Sequence, residues 1–204
     1  MNQTFQLYYP ESGFNPIDLS QFWHEVSEDE FIEFCERNRD MRIEMDKDGG
    51  IEIMPPTFSE TGRKNFELTG GFWAWTKEDK RGVAFDSSTG FTLPNGARRS
   101  PDLAWVRREK WDVLSNEEKR RFARLIPDFV VELRSESDSL KKVQEKMCEY
   151  IENGARLGWL IDPLERRVYV YRAEREMEVL ENPEQVVGES PVDGFILDLE
   201  EIFD

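Results

Sequence analysis

Apolar and polar positions follow two different periods along this chain, and the switches between them outline its elements. Residues 1–26 are aromatic and turn-rich, with no clear period. Ser27 followed by Glu30 has the form of a capping box, which opens a helix from Glu28 to about Asn38 with Phe31 and Phe34 on one side. Short strands are expected over Met41–Met45 and Ile51–Met54, joined by the turn Asp48-Gly49-Gly50 and stopped by Pro55-Pro56. Helical spacing returns from Glu60 to Lys77, where Phe66, Thr69, Phe72 or Trp73, and Thr76 recur.

Strand-like runs then crowd together: Val83–Asp86, Gly90–Leu93 and Ser100–Val106, with Asn95-Gly96 between the last two as a strong hairpin signal. A polar stretch, Asn116–Arg124, reads as helical and leads to Pro127. Phe129–Leu133 is an apolar strand of the buried type. An amphipathic helix follows from Ser139 to Glu152, with Gly154 where a helix would end. Leu157–Ile161 and Val168–Tyr171 read as strands about the turn Asp162-Pro163, and the tail adds candidates at Glu178–Leu180 and Phe195–Leu197. This order predicts an α/β (α+β) fold: a mixed β-sheet flanked by helices in a single domain.

Composition narrows the function classes. The chain has 204 residues, 38% hydrophobic and 34% charged, as expected of a soluble globular protein. No apolar run approaches the ~20 residues needed to span a bilayer, and the first residues lack a basic region followed by an apolar stretch. A cytoplasmic protein without a membrane segment is expected. The only cysteines, Cys35 and Cys148, have neither metal-type spacing nor a disulfide framework. The single histidine, His24, has no nucleophile motif near it, which removes Ser-His-Asp and Cys-His catalysis and leaves a mixed zinc site poorly supplied. Any catalysis must rest on carboxylates and lysine.

The net charge of −16 argues on its own against a nucleic-acid partner. Its distribution does not. Residues 1–96 carry 9 basic and 18 acidic residues, residues 174–204 carry 1 and 11, but residues 97–147 carry 13 and 10. This basic stretch also holds the candidate chemistry. Pro101-Asp102 begins a strand on which Asp102, Ala104 and Val106 share a face. Glu132 interrupts the apolar Phe129–Leu133, and a carboxylate buried there needs a cation, a donor or a metal; a salt bridge to a nearby arginine is the plain alternative. Lys142, Lys146 and Tyr150 recur every four residues on the following helix, beside the apolar stripe Val143, Met147 and Ile151, so Lys146 sits at the rim between core and solvent. Alone it would be an ordinary surface lysine. Together, two carboxylates at strand ends can hold Mg²⁺ or Mn²⁺, and a lysine beside them can position or help deprotonate water.

With these residues in view, the chain resembles the PD-(D/E)XK nuclease superfamily, and within it the Uma-two type of endonuclease-like domains. The resemblance is carried by Ser100-Pro101-Asp102-Leu103-Ala104-Trp105-Val106, then Pro127-Asp128-Phe129-Val130-Val131-Glu132-Leu133-Arg134-Ser135. Lys146 to Gly154 and Gly158-Trp159-Leu160-Ile161-Asp162-Pro163 continue it, and Arg42-Ile43-Glu44 through Ile53-Met54-Pro55-Pro56 resembles the family's start. It spans roughly residues 27–172, which leaves 1–26 as an N-terminal extension and 173–204 as an acidic segment packed on or extending the core. The resemblance implies a restriction-endonuclease-like fold and Mg²⁺-dependent hydrolysis of DNA phosphodiester bonds. Asp102, Glu132 and Lys146 would be the catalytic residues, with Asp102 and Glu132 holding metal. Glu44 is the further candidate metal carboxylate and Glu67 its alternative. Where the superfamily pattern has lysine two residues after the glutamate, this chain has Arg134, a poor base. Lys146 would supply the amine instead, leaving Arg134 to bind phosphate or to stabilise Glu132. Arg98, Arg99, Lys141 and Lys142 are candidate phosphate contacts, and Tyr150 would orient Lys146 or a phosphate. Nuclease folds are commonly homodimers, which leaves that assembly open. A binding or interaction module that keeps the fold without turnover is the rival reading, and a purely structural domain the third.

Overall fold

The computed structural model describes residues 26–204; His24, and the expected N-terminal extension as far as residue 25, lie outside the described residues. The chain divides into two compact units between Asn38 and Arg39. The described part of the first is helix α1 (Glu28–Arg37), which opens as the spacing predicts: the Ser27 hydroxyl accepts from the Glu30 N–H, and the Glu30 carboxylate accepts from the Ser27 N–H at 2.8 Å.

The second unit begins with strands β1 (Arg42–Met45) and β2 (Ile51–Met54), an antiparallel hairpin. Helix α2 (Ser59–Asp79) follows, then β3 (Gly82–Asp86), β4 (Phe91–Thr92), β5 (Arg98–Arg99) and β6 (Leu103–Arg107). The middle holds α3 (Arg108–Asp112), a 3-10 turn (Glu118–Arg120) and β7 (Ala123–Arg124). Then come β8 (Phe129–Leu133), α4 (Leu140–Glu152), β9 (Leu157–Asp162) and β10 (Arg167–Arg172). The tail forms β11 (Glu178–Glu181), β12 (Gln185–Val187), β13 (Ile196–Asp198) and α5 (Glu200–Phe203).

These strands make two main sheets. The larger runs β11-β10-β9-β8-β6-β3, and only β8 and β9 are parallel, with α4 as their crossover. The smaller runs β2-β1-β5-β4-β7. One face of the large sheet presents Leu103, Trp105, Phe129, Val131 and Trp159 to Leu68 and Phe72 of α2 and to the chain's last elements. The other presents Ala104, Val106, Val130 and Leu160 to Met147 and Tyr150 of α4 and to apolar residues of the small sheet. Alternation along each strand therefore feeds two cores, which is why β8 is buried throughout and apolar except at Glu132. Among the described residues no helix is long and apolar enough to cross a membrane.

Three expectations are corrected. The run Ser100–Val106 is not one strand: the chain leaves the small sheet at Arg99 and joins the large one at Leu103. Asn116–Arg124 is not a helix beyond the 3-10 turn, because its charged residues offer no apolar stripe to bury. On α2 the buried stripe is Leu68 and Phe72 with Trp75 packed beside it, while Phe66 and Trp73 are 74% and 59% exposed. Thr69 and Thr76 at helical spacing misled the reading, because the true stripe is offset by one position. The C-terminal residues Val186, Val192, Phe195, Leu197, Leu199, Ile202 and Phe203 are buried in the α2-side core, so residues 174–204 are acidic outside and apolar inside.

Candidate active site

Two strands of different sheets, one sheet-to-sheet crossing and one helix build the site. The β6–β8 register pairs Leu103 with Val131; continued by one residue, it sets Asp102 opposite Glu132. Both lie on the α4 side, two residues on from Ala104 and Val130. The crossing at Ser100–Asp102 carries the small sheet against this end of the large one, and β1 thereby delivers Arg42 and Glu44, two residues apart on one strand face. Helix α4 closes the site from above. It comes close because β9 has glycine beneath it: a Cβ on Gly158 would lie 2.5 Å from Met147 Cε.

Glu44, Asp102 and Glu132 are 1%, 7% and 5% exposed, so each carboxylate needs partners within the protein. Lys146 Nζ lies 2.9 Å from Glu44 Oε1 and 2.9 Å from Glu132 Oε1. The Ser100 N–H donates to Glu44 Oε1 at 2.9 Å, and Arg99 Nη1 approaches Glu44 Oε2 at 3.3 Å. Arg42 Nη1 donates to Asp102 Oδ1 at 2.8 Å, while its Nη2 donates to the Ser100 carbonyl. Asp102 Oδ2 accepts the Leu133 N–H at 2.9 Å. The Tyr150 hydroxyl donates to Glu132 Oε1 at 2.8 Å. Around this centre, Arg99 Nε donates to Glu149 Oε2 at 2.6 Å, and Asn95 of the hairpin turn donates to Glu149 Oε1 at 3.0 Å. The turn is thus tied to α4.

The charges are uneven. Burial is the largest influence on Glu132; it outweighs the attraction of Lys146, and Asp102 and Glu44 add repulsion, so its pKa rises to about 7. Burial also opposes the charge on Glu44, but Lys146 and Arg42 override it and hold that carboxyl below its ordinary range. Burial works against the Lys146 ammonium too, and is outweighed by Glu132 and Glu44, which raise its pKa. Burial, reinforced by the Glu132 and Glu44 charges, pushes the Tyr150 phenol well up. At neutral pH Lys146 is therefore an ammonium, Glu44 a carboxylate, and Glu132 poised between its two forms.

The residues expected from sequence fall into two groups. Asp102, Glu132, Lys146 and Glu44 come together; Glu67 is exposed on α2 and stands apart from them. Of the expected phosphate contacts, Arg98 is buried with its Nη1 3.1 Å from Met45 Sδ, Arg99 serves Glu44 and Glu149, and Arg134 pairs with buried Asp162 at 2.8 Å rather than with Glu132. Tyr150 is fully buried; its hydroxyl donates to Glu132, and the Lys146 ammonium lies 5.9 Å from the centre of its ring. Lys142 is exposed and has no ion pair among the described residues; Lys141, 86% exposed, lies 3.7 Å from Glu145. Arg42 was missed by the sequence reading. Its signal was available: Arg42 and Glu44 alternate on a short strand whose other positions are apolar.

Does the site suit a divalent ion? Three buried carboxylates offer hard oxygen donors, and Mg²⁺ needs only one or two from the protein, with waters and phosphate completing its shell. Among the described residues, no three acid, histidine or cysteine side chains already form a metal cage. Cationic side chains stand between the carboxylates. Arg42 is incompletely satisfied there, since its Nε is buried without an acceptor among the described residues. The donor set fits, with Asp102 and Glu132 as the pair and Glu44 adjoining.

The fold is thus α/β, a mixed sheet flanked by helices with acids at neighbouring strand ends and a lysine from the crossover helix. The chain belongs to the Uma2 family, described as "Putative restriction endonuclease", whose model matches residues 28–200. It is also similar to a solved structure from Anabaena variabilis ATCC 29413, described as "a putative nuclease belonging to DUF820". The two share 25% identity over 87% of this chain and 97% of that one, with a TM-score of 0.70. No curated protein matches the chain.

Proposed function

We propose that this protein is a divalent-metal-dependent endonuclease that hydrolyses DNA phosphodiester bonds. The observation that carries the reading is the meeting of Glu44, Asp102 and Glu132 with one ammonium, Lys146, from four separate elements in a buried cluster. A structural salt bridge needs two residues; this cluster spends several buried charges in one place, which is costly for stability and is the usual mark of a reactive centre.

Asp102 and Glu132 would hold Mg²⁺ or Mn²⁺, with Glu44 beside them. Such an ion, when bound, supplies a Lewis acid for water and for a phosphoryl oxygen. The chain's own groups do the rest. The Leu133 N–H and Arg42 fix the Asp102 carboxylate, and Tyr150 fixes that of Glu132. Lys146, with its raised pKa, keeps its proton. It assists by orienting the attacking water through an N–H and by offsetting charge that develops on phosphate, not as a base. Lys141 and Lys142, exposed at the start of α4, meet the DNA backbone.

The test is cleavage of plasmid and of labelled oligonucleotides with Mg²⁺ or Mn²⁺, comparing the parent with Asp102→Asn, Glu132→Gln and Lys146→Met. Each variant is expected to lose at least about a hundredfold in rate, the scale on which removal of a charge stabiliser acts. Lys146→Arg distinguishes roles: an orienting ammonium is poorly replaced by a planar fork, a mere phosphate contact is replaced well. Equal cleavage by all proteins would mean that the activity comes from elsewhere. DNA binding without cleavage under both metals would assign the chain to the fold's non-catalytic binding modules.

A further inference from the structure

Strand β6 has a second site at its other end. Asp102 precedes the strand on the α4 side; Trp105 and Arg107 lie towards its C-terminus on the α2 side, about 10 Å and about 16 Å further at the rise of an extended strand. There an open cleft of about 450 Å³ is bounded by the end of α2, the end of β6, α3, the start of β9 and the segment around Pro191. Its volume is in the range of small-ligand sites.

The lining is cationic in a protein whose net charge is −16. Lys80, Arg81, Arg107, Arg108 and Arg156 face three carboxylates, those of Glu109, Asp112 and Asp193. The cations are not all neutralised. Arg81 is held by Asp79 and Asp193, and Arg107 Nε by buried Asp128 at 3.0 Å. Arg108 bonds only carbonyls, donating to Lys80 O at 3.1 Å and Gly82 O at 3.0 Å. Lys80 and Arg156 have no ion pair among the described residues. Nearby Lys110 has its pKa lowered, first by burial and then, against the pull of Asp128, by the charges of Arg107 and Arg156. Six cations, Lys110 included, thus stand among five carboxylates, Asp79 and Asp128 included, at this end of the sheet.

A second observation is independent of charge. Trp105 lines the cleft, is 1% exposed, and its indole Nε1–H has no hydrogen-bond acceptor among the described residues. Buried indole N–H groups ordinarily find one. Two exposed cations without an ion pair among the described residues, one guanidinium bonded to carbonyls and one orphaned donor suit an anionic ligand rich in acceptor oxygens.

We propose that this cleft binds a small phosphate-bearing ligand, a phosphate monoester dianion no larger than a mononucleotide, at Lys80, Arg108 and Arg156. The site is separate from the carboxylate cluster, and the proposal does not depend on the nuclease reading.

Isothermal titration calorimetry on the full chain without divalent metal tests it, with inorganic phosphate and a nucleoside monophosphate as probes. Saturable one-to-one binding of at least one probe is expected. Lys80→Glu and Arg156→Glu should each weaken it about tenfold or more, since a charge-assisted contact becomes a repulsion. Lys47→Glu, an exposed turn residue with the same change in net charge, should leave it unchanged. Trp105→Phe should weaken it if the indole donates, with circular dichroism confirming the fold. Equal affinities would assign free phosphate, and tighter nucleotide binding a nucleotide-sized ligand. No saturable heat with either probe up to about 10 mM, or binding that all three charge reversals affect alike or that Lys80→Glu and Arg156→Glu leave untouched, overturns the proposal.

Discussion

The ammonium of Lys146 lies 2.9 Å from Glu44 Oε1, across 102 residues of chain. The same ammonium lies 2.9 Å from Glu132 Oε1, so it is shared by two nearly buried carboxylates, with Arg42 and Arg99 also facing Glu44. Lys146→Met should therefore destabilise the metal-free protein at pH 8, by less than the about 3–5 kcal/mol of a wholly uncompensated buried charge, because Glu44 keeps Arg42 and Arg99 and Glu132 can take up a proton. If the carboxylates bind a dication, Mg²⁺ or Mn²⁺ should raise the melting temperature of this variant more than that of the parent, because the ion then supplies the missing charge. Thermal melts of both proteins with and without metal check both parts.

Glu132 gives stability a definite pH dependence. Its folded pKa is about 7, against about 4.3 for an unperturbed glutamate. Between these values the native state holds a proton that the unfolded state has lost, so stability falls as pH rises through that window. The full effect is about 4 kcal/mol by linkage. Lys146 does not titrate there, and the depressed Glu44 titrates below it. Denaturant melts at pH 5, 6, 7 and 8 should show the decline. In Glu132→Gln the same series should be nearly flat, and a parent-like slope in that variant would place the titrating group elsewhere.

How far the sequence exposed this arrangement depended on whether a signal was local. The capping box at Ser27 and Glu30 needs only four residues, and it appears as read. Strand β8 was legible because five residues buried on both faces contain one carboxylate, Glu132. The sheet change between Arg99 and Leu103 was not legible, since two-residue strands have no period to detect. That change is what carries β1 to the site, so Arg42 went unseen although Glu44 was named. Arg98, Arg99 and Arg134 looked like a phosphate-binding set by charge alone. Their acceptors, among them Glu149 and Asp162, lie 50 and 28 residues away, so no local pattern announced that most of this charge is used internally.

The bond from Tyr150 to Glu132 can be isolated by removing one oxygen. Tyr150→Phe keeps the ring, which is fully buried beside Met147 and Leu160. A hydrogen bond to an ionised group contributes about 1.5–3 kcal/mol. The loss should be near that figure at pH 8, where Glu132 is charged, and smaller at pH 5, where it carries a proton. Glu132 should also titrate higher in this variant, because the phenol favours its charged form. No cost at either pH would mean that Tyr150 contributes packing alone.

The acidic tail supplies the last test. Residues 174–204 carry eleven acidic residues and one basic residue, the composition of a detachable solubilising segment. Yet Ile202 is wholly buried and Phe203 is 7% exposed, and both pack in the core shared with Leu68, Phe72 and Trp159. Ile202→Ala should cost about 2–5 kcal/mol, as for other large-to-small changes in a packed core. Glu200→Ala and Glu201→Ala, on the exposed side of the same short helix, should change stability by less than about 0.5 kcal/mol. Deleting residues 196–204 removes β13 and α5 together, stripping the partner of β12 and the cover over α2. That deletion should yield a protein without a cooperative thermal transition. If it instead melts cooperatively and close to the parent's temperature, the tail is an appendage and not part of the α2-side core.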